Sequence, residues 1–200
     1  MTEHRLDQEL QELLYPLQVK MEPSPIAVVC LYHKADKREW QRLDQHLEAL
    51  SWQLRQYLQG GTEIVWKIYE YDPDDILQAP LLAESLAALA NAHVALIGLS
   101  VDMQLLLIQN QELYNTIQGK LEQVKRHRKG VWTYVAGIRL KDVLWDEHLF
   151  ERMDLLPKEA LCGHSKKDSL CIEIADKVRR ELKEIIAYMQ RSTPSSEEEA

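Results

Sequence analysis

Cysteine, glycine and long apolar runs are all scarce in this chain. Its three cysteines, Cys30, Cys162 and Cys171, are widely spaced, which favours reduced thiols in a cytoplasmic protein over a disulfide framework. Cys162, His164 and Cys171 also lack the spacing of a structural zinc site, so no metal site is predicted. No apolar run approaches the ~20 residues of a membrane-spanning helix, and no signal peptide opens the chain, so no membrane partner is expected.

The missing glycine motifs argue against several nucleotide-binding and catalytic classes. The chain has seven glycines and contains neither a P-loop nor the G-x-G-x-x-G fingerprint of dinucleotide-binding folds. The G-x-S-x-G sequence around an α/β-hydrolase nucleophile is also absent. A phosphoacceptor receiver domain needs an aspartate at the end of its third strand, where this chain has Ser100. None of these classes is expected.

The overall composition is that of a globular domain with an acidic surface. The 200 residues are 46% hydrophobic and 28% charged, so the chain can bury enough apolar surface to fold. With 24 basic and 32 acidic residues the formal charge is −8, which repels a phosphate backbone, so a nucleic-acid partner is not expected. The length fits one domain with short extensions.

Three segments are predicted along the chain. Residues 1–24 form an N-terminal helical extension with Leu6, Leu10, Leu13 and Leu17 at helical spacing. Prolines then mark the boundary to the main domain, residues 25–190. Residues 191–200, which include STPSSEEEA, form a flexible acidic tail. The tail and the N-terminal helix are both compatible with junctions to further domains of a longer protein.

The main domain alternates strands with helices. Apolar runs rich in β-branched residues predict strands at 26–32, 63–71, 93–100 and 131–140, and the alternating pattern of the second strand predicts a less buried position. Asp36 is expected to cap the first helix, and a single long helix is expected to follow Ser100. Parallel neighbours need helical crossovers, so the fold class is α/β, a doubly wound parallel sheet of four to five strands with helices on both faces.

In such a sheet, ligands bind beyond the carboxyl ends of the strands. This rule directs the search for function to four segments: 32–36, 72–80, 100 onward and 139–145. Any chemistry of the domain should lie there.

The residues in these segments resemble a TIR (Toll/interleukin-1 receptor) domain of the bacterial defence type, over about 25–189. The first strand ends in Tyr32, followed by His33, Lys34 and Asp36, where the family has a tyrosine and an acidic residue opening the first helix. The third strand ends in Ser100, and Glu112-Leu follows twelve residues later, which is the family's spacing between its serine and its glutamate.

The resemblance implies an activity, cleavage of NAD at the bond between nicotinamide and ribose, with Glu112 as the catalytic carboxylate. Nicotinamide leaves readily because it is positively charged, so the carboxylate's task is to stabilise the oxocarbenium character on the ribose. NAD is then the substrate and no further cofactor is expected. Assembly with other copies should activate the site. The expected binding residues are Tyr32, His33, Lys34, Trp66, Asp72, Ser100 and Trp145, with an aromatic ring stacking on the nucleotide.

Two alternatives remain open because the motifs are partly degenerate. The loop DPDDILQAP lacks the family's glycine, and LLLIQNQ replaces the usual residues before Glu112. A non-catalytic TIR-like adaptor that signals through homotypic contacts fits the same pattern. So does a sensor that binds a nucleotide without turnover. Without the family resemblance, Glu112 is interpreted as a solvated acid on an amphipathic helix and Tyr32 as an aromatic residue of the core.

Overall fold

The computed structural model describes residues 25–58, 62–72, 78–126, 133–142, 153–158, 160–162 and 165–192. Five strands form one sheet in which every neighbouring pair is parallel, in the order β2-β1-β3-β4-β5. Their bounds are β1 Ile26–His33, β2 Ile64–Tyr71, β3 Val94–Leu99, β4 Tyr134–Arg139 and β5 Asp154–Leu156.

Helices connect the strands from β1 to β4 and cover both faces of the sheet, which confirms the doubly wound α/β class. Residues 143–152, between β4 and β5, lie outside the described residues. Short 3-10 turns at Lys34–Asp36 and Arg55–Tyr57 flank the first helix. The helices are α1 Lys37–Leu54, α2 Gln78–Asn91, α3 Val101–Gln109, α4 Gln111–Arg126 and α5 Lys167–Ser192.

Successive residues of the central strands face opposite sides of the sheet and build two separate cores. On β1, Val28 and Cys30 contact one core, and Val29 and Leu31 contact the other. The first core lies under α1 and α5, and the second lies under α2, α3 and α4. The apolar stripe of α1 is buried as its spacing predicts, at Trp40, Leu43, Leu47, Leu50 and Leu54.

The strand order creates a switch point between β1 and β3. The chain leaves β1 towards β2 on one side, and it returns to form β3 on the other side. In sheets of this order, the crevice that accepts ligands lies outside the carboxyl ends of the two strands at the switch point. β2 lies at the sheet edge and is only partly buried, as its alternating sequence predicts.

Three expectations about local structure are wrong. The single long helix after Ser100 is two helices, because Asn110 is non-helical (φ −115°, ψ 88°) and its Oδ1 accepts a hydrogen bond from the Leu113 N–H at 2.9 Å. The stretch expected to be irregular after β4 contains β5. Asp36 makes no side-chain capping bond to α1, because its carboxylate is bound elsewhere.

Among the described residues, no helix is long and apolar enough to cross a bilayer. The predicted extension over residues 1–24 and the segment 193–200 lie outside the described residues.

Candidate functional site

A polar cluster lies at the switch point, just past the carboxyl ends of β1, β3 and β4. It contains Asp36 from the turn after β1, Ser100 and Asp102 from the start of α3, and Lys141 after β4. Each residue follows a strand closely, so the parallel sheet brings the chain segments together although they are distant in sequence.

Asp36 is the centre of this cluster and is fully buried, with 0% of its surface exposed. The Ser100 hydroxyl donates a hydrogen bond to its Oδ2 at 2.5 Å, and the Lys141 ammonium lies 2.6 Å from its Oδ1. A buried carboxylate is costly unless it is paired and hydrogen-bonded, and both conditions hold here. The Ser100 Oγ also accepts a hydrogen bond from the Met103 N–H at 3.1 Å, so the same hydroxyl caps α3.

Lys141 joins three parts of the chain through one ammonium group. Beyond Asp36, its Nζ donates to the Ala35 carbonyl at 3.1 Å and lies 3.6 Å from the Asp102 carboxylate. Partial burial lowers the pKa of Lys141, but the hydrogen bond to Asp36 and the neighbouring negative charges outweigh it and leave the pKa raised. Lys141 is therefore the cation of the cluster.

His33, Asp36 and Asp102 offer possible metal-ligand atoms within 4.8 Å of one another. The Lys141 ammonium contacts both carboxylates, so a positive charge is already present between them. The His33 Nδ1 accepts a hydrogen bond from the Ala35 N–H at 3.1 Å and caps the turn after β1, which leaves only Nε2 for other partners. With two carboxylates and one ammonium, these contacts leave the cluster with one negative charge that Lys141 does not balance.

A second group of charges lies beside it, between β1 and β2. Lys34 forms an ion pair with Asp72, and Lys37 forms one with Glu70 at 2.9 Å. Lys34 is a predicted binding residue, and 56% of its side chain is accessible. The ends of β1 and β2 therefore bring together Lys34 and Asp72, two of the predicted binding residues.

Tyr32 takes the structural role that its residue type favours. Its ring stacks on Trp40 with centroids 5.0 Å apart, and only 5% of the residue is exposed. Its hydroxyl donates to Glu70 at 2.9 Å. Burial and this acidic partner raise the pKa of Tyr32, so the phenol is neutral at physiological pH.

Of the two predicted tryptophans, Trp66 lies away from the cluster. Trp66 is half-buried near the amino end of β2, where it pairs with Val28 and packs against the core under α1 and α5. The carboxyl end of β2 at Tyr71 is about 17 Å further along the strand. Trp145 lies outside the described residues.

Glu112 occupies the first turn of α4 with an exposed side chain. Among the described residues, no hydrogen bond or ion pair joins it to Asp36, Ser100 or Lys141. A negative charge in the first turn suits the helix dipole, so this position stabilises α4 whatever else the residue does. The predicted catalytic residue is thus accessible to solvent and separate from the buried cluster.

An apolar stripe on α3 faces solvent between Ser100 and Glu112. Val101, Leu105 and Ile108 are 50%, 51% and 71% exposed, while the opposite side of α3 is buried through Met103 and Leu106. Steps of four and three residues place the exposed side chains on one face of the helix. Single exposed apolar residues are ordinary, but a continuous stripe of three large ones is typical of an interaction surface.

A small groove between α1 and α5 lies away from this edge of the sheet. It has a volume of about 130 Å³ and is lined by residues that include His46, Leu50 and Ile172. Sites for drug-sized ligands usually occupy about 300–1,000 Å³, so this groove does not suit a dinucleotide.

Of the four residues in the cluster, only Ser100 is a predicted binding residue, and Asp36 is predicted only as a helix cap. The expected segments included 139–145 and the residues from 100 onward, which contain Lys141 and Asp102. Neither was singled out, because a lysine after a strand and an aspartate in a first helical turn are ordinary in sequence. Their pairing depends on strand order, which the sequence pattern does not state.

Comparisons with known proteins do not assign the chain to a family. No family model, curated protein or solved structure matches the chain. The sheet itself establishes the fold class, and the TIR resemblance stays a prediction.

Proposed function

We propose that this chain is a TIR-like domain that works by self-association, and that assembly activates cleavage of the nicotinamide–ribose bond of NAD. The observation that carries the first part is the uncovered apolar stripe on α3, formed by Val101, Leu105 and Ile108. Burying such a stripe against a second copy removes apolar surface from water, at about 25 cal/mol per Å².

The stripe also connects assembly with the proposed chemistry. Ile108, its most exposed member, precedes Glu112 across the short break at Asn110. A second copy packed on α3 would exclude water beside the first turn of α4. The Glu112 carboxylate would then act on the developing ribose cation in a medium of lower dielectric, where the electrostatic attraction between the two charges is stronger.

The fold and one exposed cation support a nucleotide as the ligand. Doubly wound sheets with this strand order bind ligands beside β1 and β3, where Lys34 is exposed. In the proposed complex the ammonium of Lys34 would meet the pyrophosphate at that edge, while Asp36 and Lys141 hold the chain segments around it in position.

The test is nicotinamide release from NAD by the purified chain at high protein concentration. Glu112→Gln removes the carboxylate charge and keeps the side-chain size, and a loss of about 100-fold or more is expected, as for other preorganised electrostatic contacts. The matched control is Glu173→Gln, an exposed glutamate on α5, which should retain the wild-type rate. Equal rates in both variants would remove Glu112 from the mechanism.

One observation favours the adaptor as a second candidate function. Glu112 is exposed and separate from the cluster, and the buried Asp36–Lys141 pair already fills the centre of the switch point. A domain that only assembles would need the α3 stripe and no catalytic residue. Wild-type protein that self-associates and releases no nicotinamide would establish this function and contradict NAD cleavage.

A further inference from the structure

The outer edge of β2 is a long strand edge without a partner in the part of the chain that the structure describes. β2 spans the eight residues Ile64–Tyr71 and pairs with β1 on one side. Among the described residues, no chain segment forms backbone hydrogen bonds with its other side. Alternate residues of a strand direct their N–H and C=O groups to that side, so this edge can accept a further strand.

The features that usually protect a sheet edge from pairing are few in β2. Natural edge strands are commonly very short or interrupted by a proline or a bulge. β5, at the other edge of the sheet, has three residues, whereas β2 has eight. β2 contains no proline, and all eight of its residues pair one-to-one with β1, so it has no bulge. Six of the eight are Ile, Val, Trp or Tyr, which favour extended structure.

An uncovered apolar side chain lies in the middle of this edge strand. Ile68 is 43% exposed. Side chains alternate between the two faces of a sheet, so Ile68 shares a face with Ile64 and Trp66. Those two residues pack against the core under α1 and α5, and Ile68 remains open to solvent. A strand added to this edge would place a side chain directly beside Ile68.

The sequence of β2 complements itself in one antiparallel register. Two copies related by a two-fold axis would pair their β2 strands antiparallel, and residues opposite each other would lie on the same face. With the axis at Ile68, the two copies of Ile68 meet, and Trp66 lies opposite the partner's Glu70. Lys67 lies opposite the partner's Tyr69, where an ammonium and an aromatic ring attract each other. No like charges are opposed in this register.

Other two-fold registers oppose unfavourable side chains. An axis at Lys67 places two ammonium groups opposite each other, and an axis at Glu70 does the same with two carboxylates. An axis at Tyr69 places Ile68 opposite the partner's Glu70, which sets an apolar side chain against a charge. Registers centred further from the middle pair fewer of the eight residues. The pattern of charges therefore specifies a second copy as the occupant, with the axis at Ile68.

We propose that the β2 strands of two copies pair antiparallel across a two-fold axis at Ile68 and join two five-stranded sheets into one sheet of ten strands. This contact uses no residue of the α3 stripe, so it goes beyond the proposed function and does not depend on it. A chain that makes both contacts presents two different surfaces to other copies, and its assemblies can grow beyond dimers.

Disulfide cross-linking of the full chain tests the contact and its register. Ile68→Cys is made in a background with Cys162→Ser, which removes an exposed thiol, and Cys30→Val. The second change is needed because Cys30 lies beside Ile68 on β1. Opposite residues of an antiparallel pair have Cα atoms about 4.5–5.5 Å apart, which suits a disulfide.

The expected result is a covalent dimer that forms with oxidised glutathione at least roughly tenfold faster for Ile68→Cys than for Glu173→Cys, because pairing raises the local thiol concentration. Glu173 is an exposed position on α5 and serves as the matched control. Lys67→Cys should cross-link more slowly than Ile68→Cys, since the partner's Tyr69 lies opposite it. Equal rates for Ile68→Cys and Glu173→Cys would overturn the proposal, and they would also be the outcome if β2 accepts a strand of another protein instead.

Two further variants separate this contact from the α3 stripe. Adding Ile108→Glu to Ile68→Cys should leave the cross-linking rate unchanged, and a loss of cross-linking there would overturn the proposal by moving the contact to α3. In an Ile108→Glu chain with its native cysteines, Ile68→Lys places like charges opposite each other and should lower the association constant in sedimentation equilibrium. An unchanged constant would contradict pairing at Ile68. Absence of nicotinamide release would overturn NAD cleavage and leave these results as they stand.

Discussion

The buried carboxylate of Asp36 lies 2.6 Å from the ammonium of Lys141, and this pair joins the turn after β1 to the chain leaving β4. Ser100 donates a hydrogen bond to the same carboxylate from the end of β3. One carboxylate therefore links the chain segments at the carboxyl ends of the three central strands. The edge of the sheet where a ligand is expected is therefore a fixed platform.

Removing the cation of this pair should destabilise the fold strongly. Lys141→Met leaves the Asp36 carboxylate buried without its counter-charge, which typically costs about 3–5 kcal/mol. The matched variant Lys34→Met breaks an exposed ion pair with Asp72 and should cost about 1 kcal/mol or less. Urea unfolding of both variants measures the two costs. Equal free energies of unfolding would show that the buried pair contributes no more than a surface one.

Two glycines provide substitutions with opposite expected signs. A Cβ at Gly137 on β4 would overlap Leu99 Cδ1 and lie 2.8 Å from Met153 Sδ, so Gly137→Ala should destabilise by about 1–3 kcal/mol through overpacking. A Cβ at Gly119 within α4 meets nothing within 4 Å, so Gly119→Ala should stabilise by about 0.5–1 kcal/mol through helix propensity. Thermal unfolding measures both, and a shift of the same sign would contradict the packing around β4.

Because of Lys120, the free energy of unfolding should depend on pH under alkaline conditions. It is 4% exposed, its ammonium donates to the Ala92 carbonyl at 2.8 Å, and burial lowers its pKa from 10.5 to about 8. Between pH 8 and 10.5 the unfolded chain binds this proton more tightly than the folded chain. The Lys120 contribution to the free energy of unfolding should therefore rise with pH across that window, by about 1–3 kcal/mol.

Other groups oppose this trend, so the measurement must be a difference. Burial raises the pKa of Cys171 to about 11, and such groups favour unfolding as the pH rises. They are unchanged in Lys120→Met and cancel when its unfolding free energy is subtracted from that of the wild type. A difference that stays constant from pH 8 to 10.5 would show that Lys120 titrates normally in the folded chain.

The self-association surface makes its own prediction. Ile108→Glu places a charge on the most exposed residue of the α3 stripe and should shift the chain towards monomer at a given concentration. Ile172→Glu is the matched control, since Ile172 is 50% exposed on α5, away from that stripe. Sedimentation equilibrium measures the association constant of each. The same weakening in both variants would move the interface away from α3.

Much of the fold can be predicted from the spacing of apolar residues, because the buried face of a helix or strand requires apolar side chains at regular intervals. The continuous apolar runs of β1 and β3 predict buried parallel strands, and the leucine spacing of α1 predicts its buried face. The partial burial of β2 also follows from its alternating pattern.

The errors occur where a single side chain decides the structure. Asn110 ends α3 by capping α4, although the apolar stripe runs on past it. Asp36 looks like a helix cap in sequence, but strand order places Ser100 and Lys141 close to it and the carboxylate turns inward. Contacts of this kind depend on residues far apart in the chain, so local pattern alone cannot supply them.

The most direct test of the account is the rate of nicotinamide release per chain, measured as a function of protein concentration. The wild type should show a rate per chain that rises with concentration, because copies must meet through α3. The Ile108→Glu variant should stay at the low-concentration rate throughout. A rate per chain independent of concentration, or no release from assembled wild-type protein, would contradict the claim that self-association activates NAD cleavage.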